Sequence, residues 1–310
     1  MSAHDPLADI AREPELSQSV GMRSTVIIAV STALLFPVSN VLAAASEPRG
    51  QDVREFELSK SYETSRRASD GSSGNSRGRD AILERVIAVR ENGVELEYDL
   101  PKDATVQDRR RDWRFPARVW RSSSGTLELL NHKELQARVD GWLKDAQLTR
   151  ASCGRTIFTW NAFRIECDPQ SVITMLQSFD IASTTLHEGA IYRDDEARGP
   201  GTLLRQASGK TLGALMQIDP EAVHRAQAEA DVTVGEIMGK PVTLDAALRE
   251  RRRGNVSGTI AVTFEVDTIG RTLRRIKVTK LEIKRPDGLS ETRTATETVE
   301  RRAIRVSHAP

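Results

Sequence analysis

Asn92-Gly93 stands between the apolar-rich run Ala81–Val89 and the run Val94–Leu100, whose apolar residues recur at every second position. A two-residue Asn-Gly link accepts the positive φ of a tight hairpin turn, so the two runs read as an antiparallel pair. Phe56, Leu58 and Tyr62 keep the same period of two and predict a third strand before it. Between them, Ser65–Asp80 contains Asp70-Gly-Ser-Ser-Gly-Asn-Ser and no large apolar residue. With nothing to bury, 65–80 is expected to be a flexible hairpin tip.

The other end of the chain repeats the pattern. Thr259–Val266 alternates, Asp267–Gly270 turns, and Leu273–Lys284 returns with Ile276, Val278, Leu281 and Ile283. The apolar parity switches between Val278 and Leu281, which predicts a bulge near Thr279-Lys280. After the turn at Pro286-Asp-Gly288, residues 290 to 304 are Thr-rich and polar on both faces, as suits an exposed edge strand.

The middle of the chain carries helix starts. Asp103 opens a helix to about Trp113. Asn131 with Glu134 has the form of a capping box ahead of Leu135, Val139, Trp142 and Leu143. Asp168-Pro169 and Asp219-Pro220 each place a cap before a proline at the first helical position, the second helix running to about Ala230. Thr243–Arg253 ends on basic residues and Gly254. A strand pair, Phe115–Val119 and Thr126–Leu130, precedes the helix that opens at Asn131. Neither meander is large enough alone, so the expected fold is α+β: one twisted antiparallel sheet, open or curved into a partial barrel, with the middle helices packed on one face. Residues 46 to 310 then form a single domain; a division into two near Gly189–Gly201 is the alternative.

The segment Met22–Ser46 has Arg23, the apolar run Thr25–Leu35, Pro37 and a small-residue end at Val41, Ala43 and Ala45, the pattern of a cleavable secretory signal peptide. Residues 1 to 21 are expected to be a disordered extension, or to lie upstream of a true start at Met22. Export to the periplasm follows, with membrane contact only transient or through an uncut signal anchor. The two cysteines, Cys153 and Cys167, would then meet an oxidising compartment. They flank two β-rich arms around Trp160-Asn161, and a hairpin there closes a disulfide ring of about 15 residues, contributing roughly 3 kcal/mol by the loop-entropy argument.

In outline, a curved meander with helices laid inside it makes the chain similar to exported bacterial half-barrels of the periplasmic lipoprotein-carrier type. The long middle segment departs from that pattern, and no ligand-binding residue carries over.

Motifs for chemistry are sparse. His187-Glu188 begins like a helical zinc site, but position 191 is Ile, so the second imidazole is missing. The remaining histidines, His4, His132, His224 and His308, are scattered and are expected at the surface. Gly71-Ser-Ser-Gly74 lacks the strand-to-helix setting of a nucleophile elbow, and no phosphate-binding or dinucleotide glycine loop occurs. No cofactor or metal is expected. With 45 Lys+Arg against 44 Asp+Glu and a net charge of +1, nothing favours nucleic acid. The basic runs 109–111, 251–253, 274–275 and 301–302 adjoin acids and read as solvated faces.

One unevenness remains: all four tryptophans and half of the aromatic residues lie within 113 to 163. They read as the main core, or as a ligand or partner patch of Trp113, Phe115, Trp120, Trp142, Trp160 and Phe163, with Asn131, Asn161 and Arg164 as its polar groups. The leading expectation is a non-enzymatic protein binding an envelope lipid or envelope protein. Two rivals are a hydrolase using acids such as Glu166, Asp168 or Asp194, and an assembly protein pairing through residues 290 to 310.

Overall fold

The computed structural model describes residues 55–158, 162–179, 186–206, 209–267 and 272–304. The expected leader, Met22–Ser46, lies outside them. The chain begins with three strands, β1 (Glu55–Ala68), β2 (Ser73–Arg90) and β3 (Gly93–Asp99), followed by helix α1 (Val106–Arg111), strands β4 (Ala117–Ser122) and β5 (Leu127–Leu129), and helix α2 (His132–Asp145). A short hairpin, β6 (Thr156–Phe158) and β7 (Ala162–Arg164), leads to α3 (Ser171–Phe179). Then come β8 (Ile191–Tyr192), β9 (Gly201–Thr202), β10 (Leu204–Arg205), β11 (Thr211–Gln217), α4 (Pro220–Ile237) and α5 (Leu244–Arg251). The last three strands are β12 (Asn255–Val266), β13 (Thr272–Lys284) and β14 (Ser290–Ile304).

Ten strands form one antiparallel sheet in the order β10-β11-β12-β13-β14-β1-β2-β3-β4-β5, open at both ends rather than closed into a barrel. The two meanders join where β1 pairs with β14, from Glu55↔Ile304 to Ala68↔Glu291. Three expectations need correction here. β14 is not an edge: it is hydrogen-bonded to β1 along its length and to β13 from Ser290 to Glu300, so that stretch offers no free backbone for assembly. Its charged residues Glu291, Glu297, Glu300, Arg301 and Arg302 pair with charged side chains of other strands or of the β13–β14 turn. Segment 65–80 is not a loop, because β1 and β2 stay paired as far as Arg67↔Ser73, leaving only the turn at Ser69–Ser72. A ladder needs backbone partners, not apolar side chains, and β14 supplies the second set. Finally, β12 and β13 run in register through Ile260↔Thr279 and Thr259↔Lys280; the irregularity falls at Glu265/Val266.

Cross-strand partners share a face, so the register assigns every side chain. One face carries two apolar cores. In the first, Leu58, Ile82, Leu96, Tyr98, Ala117 and Val119 of the sheet meet Leu135, Val139 and Leu143 of α2 and Val172, Leu176 and Phe179 of α3. In the second, Leu212, Ala214, Met216, Ile260, Val262 and Phe264 are covered by Ala190, Tyr192 and Leu203, with Val223 of α4 packed alongside.

Local chemistry sets the helix ends. α1 is shorter than expected because Thr105 and Asp108 form a capping box, Thr105 Oγ1 accepting from Asp108 N at 3.1 Å and Asp108 Oδ2 from Thr105 N at 2.9 Å. The box expected at Asn131 does not form. Its amide holds β4 beyond the reach of the three-residue β5: Oδ1 accepts from Arg118 N at 2.9 Å and Nδ2 donates to Pro116 O at 3.1 Å. α4 runs past Ala230 to a Schellman end, with Gly239 at φ +67°, Lys240 N donating to Gly235 O and Gly239 N to Glu236 O.

Cys153 and Cys167 are bonded, with S–S 2.10 Å and Cα–Cα 5.7 Å. The bond closes the β6–β7 hairpin, whose pairing at Thr156↔Arg164 is extended by Gly154 N donating to Ile165 O. Ile165 and Cys167 anchor it in the first core.

Candidate functional site

Between the two cores, on the same face, lies a band of charge whose spine is β14. Its inward residues are Glu291, Arg293, Ala295, Glu297, Val299 and Arg301, and each faces a residue of β1 and one of β13 at the same level wherever the ladders extend. At one end, Glu84 accepts from Arg301 (2.5 and 3.1 Å) and from the Tyr98 hydroxyl (3.0 Å), with Arg121 at 4.0 Å. Arg301 also lies 3.6 Å over the Phe56 ring.

In the middle, Glu297 bridges Lys60 (3.3 Å) and Arg275 (2.6 Å). Beside it Lys277 donates to Asp194 (2.9 Å) and Glu196 (2.7 Å), pinning the segment around β8 to the sheet. Three cations here face three carboxylates. Burial alone would lower the Lys277 pKa, but Glu196 and Asp194 outweigh it and hold the ammonium above its ordinary value. Burial would likewise raise Glu297, yet Lys60 and Arg275 keep it below the usual carboxylate range. Tyr192, buried beside this group, has its phenol pushed upward by burial.

At the far end Glu291, 5% exposed, is met by Arg66, Arg285 and Arg293. A cleft of about 290 Å³ opens beside it between α4, α5 and the β13–β14 turn, lined by His224, Arg251, Ile283 and Arg285 among others. His224 corrects the expectation of surface histidines: it is 5% exposed with Nδ1 unpartnered, and burial lowers its pKa. His132 and His187 are exposed.

The aromatic residues are not gathered at this band. Trp113 and Phe115 are buried in the first core and Trp142 packs at its margin. Trp120 belongs to the opposite face, across from Glu95 and 5.9 Å from the Arg90 guanidinium. Trp160 and Asn161 lie outside the described residues, and of Phe163 only the backbone, in β7, is described. Arg164 is in β7 and exposed. Of the acids, Glu166 Oε1 accepts from the backbone of Cys167 and Asp168, and Asp168 Oδ1 from Gln170 N, so both serve their own turn. Asp194 is held by Lys277. Among the described residues no group of three metal-ligating side chains gathers, and no helix is long and apolar enough to cross a membrane.

The band escaped the sequence reading although its signal was present. Glu291, Arg293, Glu297 and Arg301 recur on one period-two series, with Ala295 and Val299 between them and threonines at most of the alternate positions.

No family model and no curated protein matches the chain. Among solved structures it is similar to lipovitellin, from a study of lipid–protein interactions, at TM-score 0.36 and 8% identity over 83% of this chain and 26% of that one. It is also similar to Ail, the attachment invasion locus protein of Yersinia pestis, in complex with a heparin analogue, at TM-score 0.16 and 8% identity over 80% of this chain and 98% of that one. The chain therefore spans about a quarter of lipovitellin. The fold defines a class: an α+β protein with an open ten-stranded antiparallel sheet, helices packed against it, and a disulfide-closed hairpin.

Proposed function

We propose that this is an exported protein of the periplasm that binds an envelope component and performs no covalent chemistry of its own. The observation that carries the reading is the make-up of the core face, where two closed apolar cores flank a band of ion pairs. An acyl chain laid along that band would strip water from Lys60, Glu297, Arg275 and Arg301 without replacing it, which is unfavourable. The band therefore favours a partner with charged or strongly polar groups over a purely hydrophobic ligand. Among the described side chains of the aromatic cluster, Trp142 at the margin of the first core and Trp120 on the opposite face are the rings left to contribute to a partner surface.

Export is supported by the leader composition and by the Cys153–Cys167 bond, which persists in oxidising compartments. The acids considered for hydrolysis are engaged with Lys277 or with their own backbone, which weighs against that rival. Native mass spectrometry of the protein released from its own periplasm tests the reading. A retained envelope component on a chain shortened near Ala43 or Ala45 is expected; recovery from cytosol with an uncut leader and reduced thiols would refute it.

A further inference from the structure

We propose that the Glu291 end of the band is an oxyanion site that takes a phosphate-type group. Three guanidiniums converge there on one carboxylate. Arg293 Nη2 is 2.9 Å from Glu291 Oε1, while Arg66 Nε and Arg285 Nη2 are 3.1 and 3.4 Å from Oε2. Arg66 and Arg293 are also direct cross-strand partners, a like-charge pairing that destabilises a sheet unless an anion lies between them. Glu291 supplies one negative charge for three positive ones.

The contacts leave donors over. Each arginine reaches Glu291 through a single nitrogen and hydrogen-bonds no other described side chain, so most of each planar fork is unengaged. Their side chains are 44%, 42% and 38% exposed for Arg66, Arg285 and Arg293, whereas that of Glu291 is 5% exposed. An anion arriving from solvent thus meets the guanidiniums first. Guanidinium forks match the edges of a tetrahedral oxyanion, and several around one group are the usual means of holding phosphate.

The adjoining cleft provides room, and two of its three acids are paired with arginines. Asp231 accepts two bonds from Arg251 (2.5 and 2.7 Å), Glu250 pairs with Arg253 (2.9 Å), and Asp287 accepts from Leu289 N (3.0 Å). Asp70, the further acid that acts on Arg66 and Arg285, is fully exposed and therefore screened. The site gives a ligand chemistry to the envelope-binding reading but does not depend on export, since the arginines keep this arrangement in any compartment.

The test is calorimetric titration of the purified full chain with inorganic phosphate against chloride at equal ionic strength. Flotation with phosphatidylglycerol and phosphatidylcholine vesicles runs in parallel. Phosphate is expected to bind where chloride does not. Arg285→Gln and Arg293→Gln should each weaken it about tenfold, the scale of one charge-assisted hydrogen bond. Glu291→Gln should tighten binding, because it removes the competing carboxylate; a merely structural arginine cluster would not give that sign. If Glu291→Gln does not fold, the two exposed arginine variants decide the matter alone. Phosphate binding without phosphatidylglycerol binding assigns the site to soluble phosphoesters, and binding to both assigns it to a lipid headgroup. Chloride matching phosphate, or arginine variants that bind as the parent does, overturns the site whatever the protein's compartment.

Discussion

Lys277 on β13 stands directly opposite Glu297 on β14, yet it donates its hydrogen bonds to Asp194 and Glu196, more than eighty residues away in the chain. Glu297 is left to Lys60 and Arg275. The two neighbours therefore serve different purposes: Glu297 ties three central strands together, and Lys277 fastens the β8 segment over the second core.

Replacing Lys277 by Met leaves Asp194, whose side chain is 6% exposed, as a buried carboxylate without its cation. A loss of about 2–4 kcal/mol is expected from urea unfolding. Lys277→Met combined with Asp194→Asn should recover part of it, and a double variant no better than the single one would contradict the pairing.

His224 should make the protein acid-sensitive before its carboxylates do. Its folded pKa lies below the ordinary 6.5, so the unfolded chain takes up the proton first, and stability falls as pH drops below about 6.5. The slope is at most about 1.4 kcal/mol per pH unit. Glu297 acts lower: its folded pKa is below 4.5, so its contribution is complete above 4.5 and lost as pH falls through the lowered value. His224→Leu should flatten the decline between pH 6.5 and 4.5, measured by chemical unfolding. The charged groups acting on the ring are Glu221, Arg252 and Arg251.

Removing both cysteines as serine should lower stability by about 3 kcal/mol through the greater freedom of the unfolded chain. Amide exchange in 154 to 165 is expected to accelerate more than exchange in the sheet. Equal acceleration everywhere would mean that the hairpin is not separately held.

Gly258 is required by close approach. A Cβ there would press into the carbonyl oxygen of Lys280 in the paired strand, and backbone cannot step aside. Gly258→Ala should destabilise by about 1–3 kcal/mol. Gly71→Ala, with open space around it, should differ only through its positive φ of +86°, and the comparison of unfolding midpoints separates the two causes.

The fold was readable wherever side chains alternate or cap. Asn92-Gly93 marked the β2–β3 hairpin, Thr243 marked α5, and the cysteine spacing marked the β6–β7 loop. Reading failed where polarity was taken to mean exposure. Residues 290 to 304 read as an edge and Ser65–Asp80 as a flexible hairpin tip, because local composition cannot reveal that the missing partner is at the other end of the chain. β11 was passed over, Gly213 interrupting an otherwise apolar run. Trp113 and Trp120 are seven residues apart in sequence, yet Trp113, in the turn before β4, is buried in the first core, and Trp120, within β4, lies on the opposite face.

The pairing of β14 with β1 also governs the order in which the molecule is completed. Ser290 N donates to the Ser69 hydroxyl at a sequence separation of 221. Until β14 has emerged, β1 has one vacant side and the two halves of the sheet are not joined. Closing so long a span is slow by comparison with forming the local hairpins. A nascent chain thus holds β1 half-paired until β14 is made, however early its local hairpins form.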